Sequence, residues 1–509
     1  MINFRANNIN HTIYLIGITT LFLGWLLIPQ DFIASDPWRY SSIAYRIMSD
    51  KGLDPSIFGQ RLGVIIPVAL CYKLFGVSIY STNLWPLMSA MLTLTVLWLA
   101  LPDIRQKTIA VLLTLSMGAI WQYSSSLYPD LIAGAFMALS VFMLTRRSNH
   151  NNIMAGLIGS ASLFVAFLAK ESAYWCLPLW LYAIYEDIIN KSETKYFWIA
   201  AFVLSATLGV LYCLFCQIAW GDPLARFKVV QSLTGVHLWA WDKASTKELI
   251  KRLTIQPIEL YTQTFSFPFF LSIIALYIQP AQLRYWSYYL ILTIIFFWFG
   301  STSFTSYEPM PVFDRMILPS LAPIIILSSW TTNWIIFQLN RFNFASAFAI
   351  VLFLFITTSK LLIFIYSSTV RPMESDAIVE IKKEIYANPR ERIVIITSDQ
   401  RSPESLKMYF GYNYPENLNV LDAITISDPA IIYNYSRILI YLNSERSSFL
   451  KSAYGQSNAD SALRNAGFRA IYNKNPYLVL EPSMNPESVC NHSWPSGTGI
   501  SAKFFNIQF

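Results

Sequence analysis

The sequence predicts a polytopic α-helical membrane protein. It should have about eleven transmembrane helices, amphipathic juxtamembrane helices in its first outer loop and a small C-terminal extracytoplasmic α/β domain. Three observations predict it. Apolar residues make up 54% of the 509 positions and charged residues only 13%, about half the charged share of an average soluble domain. Several runs approach the ~20 apolar residues that cross a bilayer as a helix. The charge is also unevenly spread: residues 370–509 hold 14 Lys+Arg and 14 Asp+Glu, whereas residues 1–369 hold 23 and 16. The net charge of +7 therefore lies in a membrane domain, 1–369, and a more ordinary charge density marks a second domain, 370–509.

The apolar runs fall at roughly 11–30, 81–101, 107–123, 128–145, 153–169, 172–189, 196–218, 260–279, 285–301, 315–338 and 344–367. The short loops PDIRQK (102–107), RRSNHNN (146–152), NKSETK (190–195), AQLR (281–284) and NRFN (340–343) all carry Lys or Arg and fall on one side of the alternation. The opposite short loop, QYSSSLYPD, carries none. Basic short loops face the cytoplasm, so the N-terminus is expected inside and residues 370–509 outside. No internal repeat is visible, which counts against a transporter built from inverted halves.

Residues 31–80 are too polar to span but hold amphipathic stretches. YSSIAYRIMSDKG is expected to be a helix ending at Gly52, and LGVIIPVALCYKLFG a helix lying at the interface. Segment 219–258 reads the same way, with LWAWDK placing two Trp at headgroup level and STKELIKRL opening on a Ser cap. The outer segments are rich in cations, among them Arg39, Arg46, Lys51, Arg61, Lys73, Arg226, Lys228, Lys251 and Arg252. Long segments cross regardless of charge; an anionic ligand or anionic headgroups would account for these cations.

In the C-terminal part, RPMESDAIVEIKKEIYANP is an amphipathic helix and RIVIITSD a buried strand. SPESLKMYFGYN starts as a helix, RILIYLN is a second strand, SSFLKSAY and NADSALRNAG are helices, and FRAIYNKNPYLVLEP folds back as one or two strands. Alternating elements indicate an α/β layer. This part has no Gly-rich phosphate loop. The five Cys form no disulfide framework, and four lie in apolar runs where Cys packs as a small hydrophobe. The four His are scattered without zinc spacing, so no metal, no cofactor and no nucleic-acid partner is expected.

Five stretches resemble the GT-C integral-membrane glycosyltransferases, especially the aminoarabinose transferase and protein O-mannosyltransferase branch. They are SDPWRYSSIAYRIM, ALCYKLFGVSIYSTNLWPLMSA, SLYPDLIAGAFMALSVF, LFVAFLAKESAYWCLPLWLY and DRMILPSLAPIIIL, in family order over most of residues 30–335. The resemblance implies an inverting transfer on the outer face of a bacterial inner membrane. The donor would be a polyprenyl-phosphate-linked sugar and the acceptor an envelope glycan or lipid, such as O-antigen or lipopolysaccharide. Such a reaction needs a carboxylate to take the acceptor's proton and cations to stabilise the leaving phosphate.

The resemblance makes Asp36 the base; read as sequence, it also fits a helix N-cap. Asp130, in YPD, is the second candidate acid, or an Asp in a helix's first turn. Lys170 and Glu171 stand alone between two apolar runs. Lys170 is a candidate donor-phosphate contact, or else partners Glu171 locally. Arg39, Arg61 and Arg315 complete the set of candidate contacts to donor phosphate or acceptor, with an interfacial snorkel as the other reading of Arg315. Around Arg61 the chain has Gln-Arg-Leu-Gly where the aminoarabinose transferase branch has Glu-Lys-Pro-Pro, so one loop acid of that branch is absent. Two other readings share these features: an O-antigen ligase or polymerase with a polyprenyl-pyrophosphate donor, and a flippase or transporter. The near absence of charge in mid-span disfavours the latter.

Overall fold

The structure, a computed structural model, describes residues 2–28, 36–148, 152–233, 246–301, 313–339, 374–397, 402–422, 435–443, 468–474 and 477–482. The chain divides into two compact units. One comprises Met1–Ile28, Arg46–Leu74 and Ser81–Tyr366; the other comprises Pro29–Tyr45, Phe75–Tyr80 and Ser367–Phe509. The stretches 29–45 and 75–80 therefore cluster with the C-terminal part rather than with the long helices.

The first unit is helical. Its helices are α1 (Ile2–Leu27), the end of α2 (Asp36–Met48), α3 (Leu62–Phe75), α4 (Ile79–Ala100), α5 (Ile104–Ser116), α6 (Gly118–Ser124) and α7 (Pro129–Thr145). There follow α8 (Asn152–Ala169), α9 (Leu177–Ile189), α10 (Lys195–Trp220), α11 (Ala225–Leu233), α12 (Thr246–Thr254), α13 (Gln256–Phe265), α14 (Phe267–Ile278), α15 (Arg284–Phe299) and α16 (Leu321–Leu339). Among the described residues, four helical stretches are long and apolar enough to cross a membrane: Ile79–Ala100, Asn152–Ala169, Lys195–Trp220 and Asp314–Gln338. Two further pairs reach that length together but bend sharply, α6 with α7 by 110° and α13 with α14 by 112°. The second bend follows from Ser266, a non-glycine residue at φ +55°. The apolar run 344–367 lies outside the described residues, as do LWAWDK, SSFLKSAY and NADSALRNAG.

Membrane-type composition shows in what faces outward. On α10, Phe202, Val203, Val210, Leu211, Leu214 and Ile218 are all exposed, as side chains in contact with hydrocarbon are. The inward faces form one core that includes Leu94, Ile120, Leu131, Trp286, Leu290 and Ile325. At one end of the helices three of the short basic loops meet, those holding Arg147, Thr194 and Arg284. Arg147 donates to Asp187 and Glu186, both at 2.9 Å. Thr194 and Trp198 donate to the same Asp187 oxygen at 2.7 and 2.9 Å, and Arg284 and Tyr285 both donate to Glu186. Arg146, in turn, donates to the Leu99 carbonyl at the end of α4.

The second unit contains a five-stranded sheet: β1 (Ile393–Thr397), β2 (Leu418–Asp422), β3 (Arg437–Asn443), β4 (Phe468–Lys474) and β5 (Tyr477–Pro482). The order is β2-β1-β3-β5-β4; β1 runs parallel to β2 and β3, while β5 is antiparallel to β3 and β4. Helices α17 (Glu374–Ala387) and α18 (Ser402–Tyr409) accompany it. Ala377, Ile378, Ile381 and Ile385 of α17 pack on Ile393, Ile395, Leu439 and Tyr441. Strand β2 was not anticipated from the sequence. It is five residues long, among the described residues it pairs with β1 alone, and Asn419 interrupts its apolar pattern.

Candidate active site

The first unit gathers five of the sequence-derived candidates on neighbouring elements, Arg61, Asp130, Lys170, Glu171 and Arg315. Lys170 ends α8 in an extended conformation, φ −151° and ψ 134°, before the 3₁₀ turn Glu171–Cys176. An extended residue at this break sends successive side chains in different directions. Lys170 donates to the Asp130 carboxylate, whereas Glu171 receives Arg61, so the local Lys170–Glu171 pair does not form. Arg61 grips Glu171 with two nitrogens, Nη2 to Oε1 at 2.7 Å and Nε to Oε2 at 3.3 Å. This two-point geometry suits the planar guanidinium fork.

A third cation joins them. Arg226, on α11, donates to Glu171 Oε2 at 3.3 Å and lies over the Phe167 ring at 4.5 Å. It is 1% exposed, and its Nε has no hydrogen-bond partner among the described residues. The Gln60 side-chain oxygen is likewise buried and unpartnered. Burial pushes the Glu171 carboxyl up, but Arg61 and Arg226 outweigh it and hold that carboxyl well below the usual carboxylate range. Two guanidiniums on one carboxylate leave the trio with one net positive charge. A buried positive excess beside an unsatisfied N–H is an environment for an anion.

Close backbone packing sets these distances. A Cβ on Gly63 would stand 2.6 Å from the Ala169 nitrogen, so α3 rests directly on the end of α8 and carries Arg61 to Glu171. A Cβ on Gly134 would meet the Pro319 Cα at 3.0 Å, which brings α7 against the 3₁₀ turn Asp314–Ser320. That turn presents Arg315 over the Tyr128 ring at 4.5 Å, two residues before Asp130. Asp314, in the same turn, lies close enough to the Tyr123 hydroxyl to interact with it electrostatically.

Asp36 and Arg39 belong to the second unit. Asp36 lies in the first turn of α2 and is half-buried, while Arg39 is exposed and lies 5.9 Å from the Trp38 ring. The helix ends at Met48, earlier than Gly52, and Asp50 already takes a left-handed φ of +54°. Among the described residues no group of three or more His, Cys, Asp or Glu is placed to hold a metal. Arg226 stood in the sequence only as one of many outer cations; Asp314 and Tyr123 carried no signal at all. Arg252, another outer cation, is occupied differently: it donates to the Phe297 and Trp298 carbonyls at 2.7 and 3.2 Å, closing the C-terminus of α15.

No protein-family model matches the chain, and no curated protein matches it. Solved structures do. The crystal structure of ArnT from Cupriavidus metallidurans bound to undecaprenyl phosphate superposes with a TM-score of 0.53 at 12% identity, covering 92% of this chain and 97% of that one. The apo structure of the same protein gives the same figures. The chain shares its fold with ArnT. The likeness takes in nearly the whole of ArnT rather than one domain, so the GT-C resemblance read from five short stretches holds at the level of fold.

Proposed function

We propose that the protein is an inverting glycosyltransferase of the GT-C type, acting in the bacterial inner membrane. It would move a sugar from a polyprenyl-phosphate donor to an envelope glycan or lipid on the outer face. The observation that supports this most directly is the Arg61–Glu171–Arg226 trio within an ArnT-like fold: a half-buried site of net positive charge, whose buried Arg226 keeps an unsatisfied donor. One of the ArnT structures holds undecaprenyl phosphate, and a lipid phosphate is an anion that a cationic trio of this kind suits.

In the reaction the acceptor oxygen attacks the anomeric carbon as the bond from that carbon to the phosphate oxygen breaks. The acceptor's proton passes to a carboxylate, and the leaving phosphate takes the electron pair. Arg61 and Arg226 stabilise the charge developing on that phosphate, which is worth most where water is excluded. Asp36 is our choice for the base. Asp130 is 1% exposed and ion-paired to Lys170, so it suits positioning better than proton transfer. Lys170 has spent at least one of its three donors on Asp130 and is a weaker candidate than Arg61 for the phosphate.

Purified protein with a polyprenyl-phosphate sugar and an envelope acceptor extract should release polyprenyl phosphate. Asp36→Asn should abolish release, and Arg226→Ala should raise the donor KM about 10- to 100-fold, the range expected for a lost charged hydrogen bond. Full turnover by Asp36→Asn sinks the base assignment. Turnover with pyrophosphate donors alone replaces the reading with a ligase or polymerase.

A further inference from the structure

Within the second unit, helix α2 is gripped by a single turn of the α/β fold. Trp38, Ser41 and Tyr45 follow one another at helical spacing and lie on one face of α2. Tyr412 meets that face twice. Its hydroxyl lies 2.7 Å from the Ser41 hydroxyl, and its ring stacks on Tyr45 with centroids 4.6 Å apart and planes 19° apart. Tyr45 also donates to the Asn413 side chain at 3.2 Å. Met408 and Tyr412 form a small apolar cluster with Trp38, Tyr45, Val77 and Ile79.

The turn carrying Tyr412 is held from behind. Helix α18 ends at Tyr409; the Gly411 amide returns to the Met408 carbonyl and the Tyr412 amide to the Lys407 carbonyl, both at 2.8 Å. Lys382 of α17 donates to the Tyr409 carbonyl at 2.6 Å and lies over the Phe410 ring at 5.1 Å, and Phe410 is part of the domain core. Gly411 and Tyr412 take φ of +66° and +63°. Glycine adopts that region freely, whereas an aromatic residue there is uncommon. A tyrosine kept where glycine would be easier points to a use for its side chain, and the contacts with α2 supply one.

Asp36 lies on the other side of this helix. At about 100° per residue, it falls roughly opposite the face formed by Trp38, Ser41 and Tyr45. Fixing that face sets the rotation and height of α2 and leaves the Asp36 side turned away from the clamp. We propose that Tyr412 is a positioning residue: through Ser41 and Tyr45 the α/β domain holds the helix that carries the acceptor-side base. This rests on the reading of Asp36 given above.

Tyr412→Gly tests it on the full detergent-solubilised chain, because it removes the side chain while easing the backbone. The expected result is a fall in kcat of about 10- to 100-fold, typical of a misplaced catalytic group, with the donor KM unchanged. Hydrogen exchange in residues 36–45 should rise. Tyr412→Phe, which keeps the stack, should recover most of the rate. If Tyr412→Gly does not fold, Tyr45→Leu and Ser41→Ala carry the same two measurements. An unchanged kcat, or a loss confined to KM, overturns the proposal. Should the wild-type chain turn over no sugar donor, the glycosyltransferase reading fails, and exchange alone decides the clamp: unaltered protection of 36–45 in Tyr412→Gly refutes it.

Discussion

Lys170 donates its ammonium to Asp130, joining the end of α8 to the first turn of α7 in a pair almost closed to solvent, 7% and 1% exposed. Neither residue borders the other in sequence, and removing either leaves the other a buried charge without its hydrogen-bond partner. Breaking such a pair by removing one member costs about 3–5 kcal/mol, whereas removing both charges together is often close to neutral. Lys170→Met and Asp130→Asn should each lower the thermal midpoint in detergent, and the double variant should recover most of the loss. Equal depression in all three would mean that the pair does not act as a unit. Sugar transfer by the double variant then reads any direct role of Lys170 separately from its structural one.

The second prediction concerns pH. Arg61 and Arg226 hold the Glu171 carboxyl below the usual range despite the opposing effect of burial. A carboxyl depressed in the folded state adds stability above its unfolded pKa, about 4.3, and loses it as pH falls towards the folded value. Glu171→Gln should therefore be less stable than wild type at pH 7. The gap between the two should stay constant down to roughly pH 5 and narrow below about pH 4. Thermal melts across that range check it; a gap that widens on acidification contradicts the ion-pair account.

Much of this was legible in the sequence, and the rest was hidden for a common reason. The apolar runs located β1, β3, β4 and β5. Lys170 and Glu171 stood out because no other charge lay near them. Which residues pair with them did not show, since Asp130, Arg61 and Arg226 lie 40, 110 and 55 positions away. Lys170 next to Glu171 suggested a local pair, yet the extended backbone at the break parts the two side chains. Ser41 and Tyr412 lie 371 positions apart, and nothing in either local pattern signals the other. Apolar periodicity is written into neighbouring residues; pairing across the fold is set by which backbones approach closely.

Arg252 supplies the third. It donates to the Phe297 and Trp298 carbonyls, and Trp298 returns a hydrogen bond to the Leu253 carbonyl at 2.6 Å. The last carbonyls of a helix lack partners within it, so α12 acts as a cap for α15. Arg252→Met should cost about 1.5–3 kcal/mol, the usual value for hydrogen bonds to a charged group. Binding of polyprenyl phosphate by the folded fraction should be unaffected. Weakened lipid-phosphate binding at unchanged stability would assign Arg252 to the anion site instead.

The last prediction separates placement from contact. Gly63 touches no charged group, but α3 can lie on α8 only because Gly63 has no side chain. A Cβ would meet the Ala169 nitrogen at 2.6 Å, the Leu168 carbonyl carbon at 2.9 Å and the Val165 oxygen at 2.9 Å. All three are backbone atoms, so no side-chain rotation relieves the overlap and α3 itself must move. Overpacking of this kind costs about 1–3 kcal/mol. Because Arg61 directly precedes α3, the shift also draws its guanidinium off Glu171. Gly63→Ala should therefore raise the donor KM as well as lower the thermal midpoint. Gly209, inside α10, where a Cβ meets nothing within 4 Å, is the control: Gly209→Ala should leave the donor KM unchanged and should not lower the thermal midpoint, since alanine favours a helix over glycine. A Gly63→Ala protein that loses stability but keeps its donor KM would mean that Arg61 does not contribute to donor binding.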